Sequence, residues 1–220
     1  MPMHLSSSDE SRALEILGYG SASKILGNPY PLGGYSGVEI GVTSEFIPLD
    51  DLSHLGSKSD DNGELNFYDL TLAKGFYYNV DGLLYFTPPA QTQHIQNFGG
   101  QLRWGFYELT SFPISFSTVA YVGGANFDSL ISVFSMGADL IATVSLDNVA
   151  LYFGGGRSRA QGTFIGGSSG ITASQQTERK TADEGHSVFG INVSVSQFFV
   201  ALEIDRYTDS IYSGKLGMRF

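Results

Sequence analysis

The sequence predicts an all-β protein, an up-and-down antiparallel transmembrane β-barrel of about ten strands (8 to 12), preceded by a short N-terminal helical or loop segment. Three observations predict it. Apolar residues alternate with polar or small ones along most of the chain after residue 35. Charged residues make up only 15% of the chain, and 28 of its 220 residues are Gly, which indicates a charge-poor surface built from many short strands. Long and short connections roughly alternate, as they do in membrane barrels.

Residues 1–34 form the N-terminal segment and residues 35–220 the barrel. A serine run precedes Asp9 and Glu10, and Gly18 follows an apolar stretch, which is the pattern of a short capped helix. A helix this short needs a partner surface. We therefore expect residues 9–34 to fold into or against the periplasmic mouth as a plug; a periplasmic linker or an interfacial helix is the alternative. The apolar plug residues are Leu14, Ile16 and Leu17.

The strands are predicted where residues of one type recur at every second position. In residues 97–106, for example, Phe98, Leu102 and Trp104 alternate with polar or small residues. A strand with two such different faces separates an apolar environment from a polar one. The predicted strands lie within residues 38–43, 67–74, 82–88, 97–106, 114–122, 134–140, 149–153, 189–195, 198–205 and 212–220.

The connections predict how these strands are oriented. Residues 50–64 and 156–186 are expected to form long polar loops, whereas residues 145–148 and 196–197 form tight turns. In outer-membrane barrels the tight turns are periplasmic and the long loops extracellular. If the first strand starts at the periplasm, ten strands return Phe220 to the periplasm.

The last strand resembles the C-terminal assembly signal of bacterial outer-membrane β-barrel proteins, because it ends in Phe220 and has apolar residues at alternate positions before it. The resemblance to that class covers residues 35–220. It implies the bacterial outer membrane as location, with outer-membrane lipid, lipopolysaccharide and the barrel-assembly machinery as partners, and we expect a monomer. The residues that carry the signal are Tyr212, Leu216, Met218 and Phe220.

Aromatic residues near the predicted strand ends agree with this orientation. Phe198 falls at a predicted periplasmic end, while Tyr207 and Tyr212 fall at outer ends. Such positions are typical of the aromatic girdles of membrane barrels. A secreted β-sandwich or jelly roll is the alternative fold, since aromatic residues also favour strands in general.

The predicted inner face carries charges of both signs, with acids in excess. Glu39, Lys215 and Glu203 are expected on three adjacent strands, because the first strand must pair with the last. The charges form either a structural ion-pair network or the lining of a permeation path. The predicted lumen residues are Glu39, Asp69, Arg103, Asp139, Glu203, Asp205, Lys215 and Arg219.

The predicted inner face also contains many glycines, and we expect them to leave vacant volume along the lumen. The plug would occupy that space. Residues 26–30 resemble the N-terminal hatch segments of long-chain fatty-acid transporters, although such transporters have more strands than this chain supplies. The inward glycines include Gly99, Gly137, Gly190 and Gly217.

Composition excludes several classes of function. Twelve Lys and Arg against 22 Asp and Glu give a net charge of −10, which argues against nucleic-acid binding. The absence of Cys removes disulfides, thiolate nucleophiles and Cys-ligated metals. No motif indicates a cofactor or a metal; the acidic run at residues 58–64 misses the spacing of a calcium loop and is expected to be solvated.

The leading functional hypothesis is passive or gated passage of a small solute through a narrow polar lumen. A non-conducting surface barrel, whose outer loops bind a partner or stabilise the envelope, is the first alternative. The third is an outer-membrane hydrolase with a loop histidine, although we expect no enzyme and assign no catalytic residue. Its candidate sites combine His54 with Asp50, Asp51 and Ser53, or His186 with Glu184 and Ser187, and His94 is a third loop histidine.

Overall fold

Ten antiparallel strands close into a barrel in which each strand pairs with its neighbours in sequence and the last strand pairs with the first. The computed structural model describes residues 4–29, 32, 34–48, 54–56, 64–89 and 95–220. The predicted up-and-down barrel is confirmed. The elements are α1 (Ser7–Gly20), a 3-10 turn (Gly34–Ser36), β1 (Val38–Pro48), β2 (Glu64–Gly75), β3 (Val80–Phe86), β4 (Ile95–Glu108), β5 (Ile114–Phe127), β6 (Ile131–Leu146), β7 (Val149–Phe164), β8 (Glu178–Val195), β9 (Phe198–Arg206) and β10 (Ser210–Arg219).

The two ends of the barrel differ in their connections. Residues 76–79, 109–113, 147–148 and 196–197 join strands at one end, which we call the short-turn end. At the other end, which we call the long-loop end, the described connections are residues 128–130, 165–177 and 207–209. Most of the connections 49–63 and 87–94, and so most of the loop predicted at residues 50–64, lie outside the described residues. The barrel closes at the short-turn end, where Val38 and Phe220 exchange backbone hydrogen bonds of 3.0 and 2.9 Å. Closure gives every strand a hydrogen-bonded neighbour on both sides.

The outer face of the barrel is apolar on every strand. Exposed side chains such as Leu84 and Leu216, at 65% and 64% exposure, would be unfavourable in water over so large a surface. The alternate residues point inward and are mostly polar or charged. This arrangement is that of a membrane barrel. One outward residue from each strand in turn is Ile40, Leu72, Leu84, Leu102, Val122, Leu140, Phe153, Phe189, Leu202 and Leu216.

The predicted loop at residues 156–186 is wrong, because most of it continues β7 and β8. The two strands stay paired from Gly156 and His186 to Phe164 and Glu178, so the connection is only residues 165–177. Beyond the apolar surface, the outward residues of these strands are polar or small. The apolar outward positions that mark the other strands are therefore absent from the sequence here, although the strands continue.

The N-terminal helix lies inside the barrel. Its N-cap is Ser6, which forms a capping box with Asp9, and its apolar side packs on the inner walls of β6 and β7. Among the described residues, no helix has the length and apolar character needed to cross a membrane. The helix residues that are fully or almost fully buried include Ala13, Leu14, Ile16 and Leu17.

The helix occupies the opposite end of the barrel from the expected periplasmic mouth. Leu5 pairs with Thr172 of the 165–177 connection, which places the start of the segment at the long-loop end. The chain then descends through the lumen and joins β1 at the short-turn end. The helix lies at the long-loop end because the inner face of the barrel is apolar near that end and charged closer to the short-turn end. The apolar wall residues around the helix include Phe127, Ile131, Val133, Ala160 and Phe164.

Candidate functional site in the barrel lumen

The middle of the lumen is crossed by residues 21–26, which Glu203 of β9 holds through their backbone. Glu203 accepts hydrogen bonds from the N–H groups of Ile25 at 2.9 Å and Leu26 at 2.7 Å. Tyr152 of β7 donates its hydroxyl to the same carboxylate at 2.6 Å. Three donors thus satisfy a carboxylate that is almost fully buried.

The opposite wall binds the same stretch of chain from β4. Arg103 donates from Nη2 to the carbonyl of Ile25 at 2.6 Å and from Nε to Gln101 Oε1 at 2.9 Å. Gln101 donates to Ser23 Oγ at 2.7 Å and to the carbonyl of Lys24. The segment is therefore hydrogen-bonded across the full width of the lumen.

Lys24 binds backbone carbonyls at the C-terminal end of the helix. Its ammonium donates to the carbonyls of Tyr19 at 2.9 Å and Ala22 at 2.7 Å, in a site where the residue is 5% exposed. A cation is favourable there because the last carbonyls of a helix lack partners and carry its negative dipole end.

A buried ion-pair network lies on the short-turn side of this crossing segment. Glu39 of β1 accepts from Lys215 Nζ at 2.6 Å and from Arg219 Nε at 2.7 Å, both on β10. The sequence placed Glu39, Lys215 and Glu203 on adjacent strands, and the structure does so. Glu203, however, is bonded to the N-terminal segment and not to Lys215.

The other predicted lumen acids also lie on the inner face. Asp69 accepts from Thr87 at 2.6 Å and from Asn97 at 2.8 Å. Asp139 Oδ1 lies 3.2 Å from His186 Nε2. Asp205 is also buried on the inner face. All eight predicted lumen side chains thus face the interior, where the N-terminal segment and the inner walls bury them, Arg219 only in part.

Three aromatic rings that the sequence did not connect form a stack at the long-loop end. Tyr207 lies between Tyr19 of the helix, at 4.6 Å between ring centroids, and His186 of β8, at 4.4 Å. The assignment of Tyr207 to an outer aromatic girdle is therefore wrong. Tyr207 lies two residues after the inward Asp205, and this spacing could have predicted that its ring faces inward. Because β9 ends at Arg206 and a turn follows, the alternation is not clear there.

The inward glycines do not leave the vacant volume that the sequence suggested. An added Cβ at Gly190 would lie 2.0 Å from Cζ of Tyr152, and one at Gly137 would lie 2.4 Å from the hydroxyl of Tyr121. Glycine occurs at these positions because neighbouring inward rings lie flat across them. Beside the crossing segment, a cavity of about 10 Å³ lies between Lys24, Glu45 and Asp69, and it is no larger than one water molecule requires.

The hydrolase sites are not assembled among the described residues. His186 is not in a loop: it lies on the inner face of β8, whereas the adjacent Ser187 faces outward and is exposed. His54 lies in the described residues 54–56, but His94 and the predicted partners at 50, 51 and 53 lie outside the described residues. Residues 58–63 of the acidic run also lie outside them. Within the described part of the chain, no three His, Asp or Glu side chains are grouped as metal ligands.

No family model matches the chain, and no curated protein matches it. Solved structures similar to it include the N-terminal β-barrel domain of Pseudomonas aeruginosa OprF, at 11% identity over 85% of this chain and 99% of that one, with a TM-score of 0.38. Ail, the attachment invasion locus protein of Yersinia pestis, is 16% identical over 84% and 97%, with a TM-score of 0.35. The P. putida toluene transporter TodX is 12% identical over 82% and 66%, with a TM-score of 0.31. These likenesses carry no inference about activity.

Proposed function

We propose that this protein is an outer-membrane barrel whose lumen is closed by its own N-terminal segment, and that a small polar solute passes only when the segment moves. The observation that carries the proposal is the crossing of the lumen by residues 21–26, bonded to Glu203 on one wall and Arg103 on the other. A barrel of about ten strands is narrow, and this segment fills its width.

The lining explains why the solute would be polar. Displacement of the segment would expose Glu203, Arg103 and the Glu39 ion-pair network to a continuous water-filled space. Rings of charge set the selectivity of narrow pores, and here both signs face the lumen. Most polar contacts that hold the segment at mid-lumen are hydrogen bonds, which water can replace when the segment leaves. Packing of Ile25 on Val119, Ile141 and Val188 adds an apolar contact that opening would have to break.

A non-conducting surface barrel is the second candidate, and the anchoring of the segment favours it. Leu5 exchanges backbone hydrogen bonds of 2.7 and 2.8 Å with Ile171 and Ala173 of the 165–177 connection. The other end of the segment continues into β1. A segment fixed at both ends opens less readily than one with a free end.

A disulfide lock distinguishes the two candidates. The chain has no Cys, so Gly18→Cys and Ala160→Cys introduce the only thiols. A Cβ at Gly18 lies 2.7 Å from that of Ala160, so a shift of about 1 Å permits a disulfide between helix and wall.

The experiment records planar-bilayer currents of the purified variant, oxidised and reduced, after heat-modifiable migration has shown that each form is a folded barrel. Gating predicts opening events in the reduced form that the disulfide abolishes, with the two single-cysteine variants unaffected by oxidation. Silence of both forms would favour the non-conducting barrel. Equal currents in both forms would show that the segment is not the gate.

We further propose assembly in the outer membrane through the last strand, and a monomeric state in lipid. Tyr212, Leu216 and Phe220 are exposed on the outer face of the closing strand, where an assembly machinery can read them before closure. Met218 lies partly buried in the same row. Replacing Phe220 by Ala is expected to lower the amount of heat-modifiable barrel in membranes, whereas the purified variant refolds in detergent.

A further inference from the structure

A group of exposed arginines lies on the outer wall of β7, β8 and β9, directly beyond the apolar surface. The last apolar row on this side runs across Phe153, Phe189, Ile204 and Tyr212, which pair with one another in that order and are each at least 41% exposed. The next outward residue of β9 is Arg206, and on β7 the next after Gly155 is Arg157.

Arg157 and Arg206 flank a flat, small-residue surface. Arg157 pairs with Gly185, and Arg206 pairs with Ser187, so no large side chain of β8 stands between the two guanidinium groups. The two arginines lie two strand spacings apart across the sheet and two residues apart along it, which is about 12 Å. Long side chains of this kind can converge on one ligand over that distance.

The surrounding charges leave this arginine pair without a carboxylate. Asp183 lies 3.8 Å from Arg159, the next outward arginine of β7. On the neighbouring elements, Glu184 accepts from Thr208. Asp209 is bonded to the helix residue Arg12. Within the described residues, neither Arg157 nor Arg206 has an acidic partner within 4.0 Å, on a chain whose net charge is −10.

We propose that the arginine pair Arg157 and Arg206 binds the phosphate groups of a lipopolysaccharide-type lipid headgroup in the leaflet at the long-loop end. Guanidinium groups bind phosphate with paired, charge-assisted hydrogen bonds. The pair lies where a lipid has its headgroup when its acyl chains contact Phe189 and Ile204. A soluble phosphate compound would make no contact with that apolar row, so we assign the phosphate ligand to a lipid headgroup.

The inference rests on the membrane location in the proposed function and not on gating. The test uses the full-length protein in detergent and measures binding of phosphorylated rough lipopolysaccharide against the same lipid with its phosphates removed. The variant is Arg157→Gln with Arg206→Gln. The matched control, Arg159→Gln with Arg179→Gln, removes the same charge from the same wall.

We expect the wild-type protein and the control to prefer the phosphorylated lipid by about tenfold or more, and the Arg157 and Arg206 variant to lose that preference. Unchanged binding by this variant would overturn the proposal. An equal loss of preference in the control would also overturn it, because it would indicate general charge attraction. Displacement of the lipid by millimolar inorganic phosphate would overturn it as well, because it would indicate a site for soluble phosphate. Heat-modifiable migration of the same samples separates these results from failure of the membrane barrel itself.

Discussion

Glu203 and Leu26 are joined by a hydrogen bond of 2.7 Å from the backbone N–H to the carboxylate, across 177 positions of sequence. The bond connects a strand of the wall to the chain that crosses the lumen. Because Glu203 binds backbone groups, the contact does not depend on the side chains of the segment. It depends on the carboxylate, which makes Glu203 the position at which docking of the segment is most directly tested.

Glu203→Gln should loosen the segment without opening the barrel. The amide keeps one acceptor but loses the charge-assisted bonds, a change worth about 1.5 kcal/mol, or roughly tenfold in the open population. Trypsin cleavage after the buried Lys24, followed by mass spectrometry, reports that population. Asp69→Asn is the matched control, since its carboxylate bonds only wall residues. Equal cleavage of Glu203→Gln and wild type would contradict the assigned role.

The Glu39 network should respond asymmetrically to substitution. Glu39→Gln leaves the 1% exposed Lys215 ammonium unpaired and should cost about 3 kcal/mol or more. Lys215→Met should cost less, since Glu39 keeps Arg219 as partner. The double variant should be no less stable than Glu39→Gln alone. Urea titration of the heat-modifiable form measures all three, and simple additivity would rule out the coupling.

Tyr207 should hold the helix at the long-loop end through its two stacked neighbours. Tyr207→Ala removes a buried ring and should destabilise the docked state by about 3 kcal/mol or more. Tyr207→Phe retains the stack with Tyr19 and His186 and serves as the control. The temperature at which the folded band disappears on gels ranks the stabilities of the wild type and the two variants. A Phe variant as unstable as the Ala variant would show that the hydroxyl, not the stack, matters.

Glu10 should make helix docking sensitive to pH. Burial, and next the neighbouring Glu178 carboxyl, raises the pKa of Glu10 above its ordinary 4.5, while Lys180 at 3.4 Å opposes the shift. A raised pKa means that the docked state favours the protonated acid. Its stabilisation is present below the ordinary pKa and is lost as pH rises through the raised value.

Glu10→Gln should therefore remove this part of the pH dependence and stabilise the docked helix near neutral pH. The measurement is the difference between wild-type and variant urea midpoints across the acidic range, in which titration of the carboxyl groups that do not contact Glu10 cancels. A constant difference at every pH would show that docking of the helix does not shift the pKa of Glu10.

Alternation predicted the barrel wall because lipid on one side and polar groups on the other act on each strand locally. The ten strands, their outward apolar residues and the closing strand with Tyr212 and Phe220 follow from that boundary alone. The same reasoning failed for the parts of the strands that extend beyond the lipid-facing surface. Residues 156–164 and 178–186 are strands without an outward apolar face, so the pattern that lipid imposes did not mark them.

The sequence by itself therefore determined the wall, its polarity and the inward charges such as Glu39 and Arg103. Only the tertiary structure decided at which end of the lumen the N-terminal helix lies and which contacts hold the segment there. The helix lies at the long-loop end because an apolar inner wall exists there once β5, β6 and β7 are paired. Glu203, Ile25 and Tyr152 meet only after the barrel closes around the segment, because contacts between residues so far apart in sequence depend on strand order and register and leave no periodic signal.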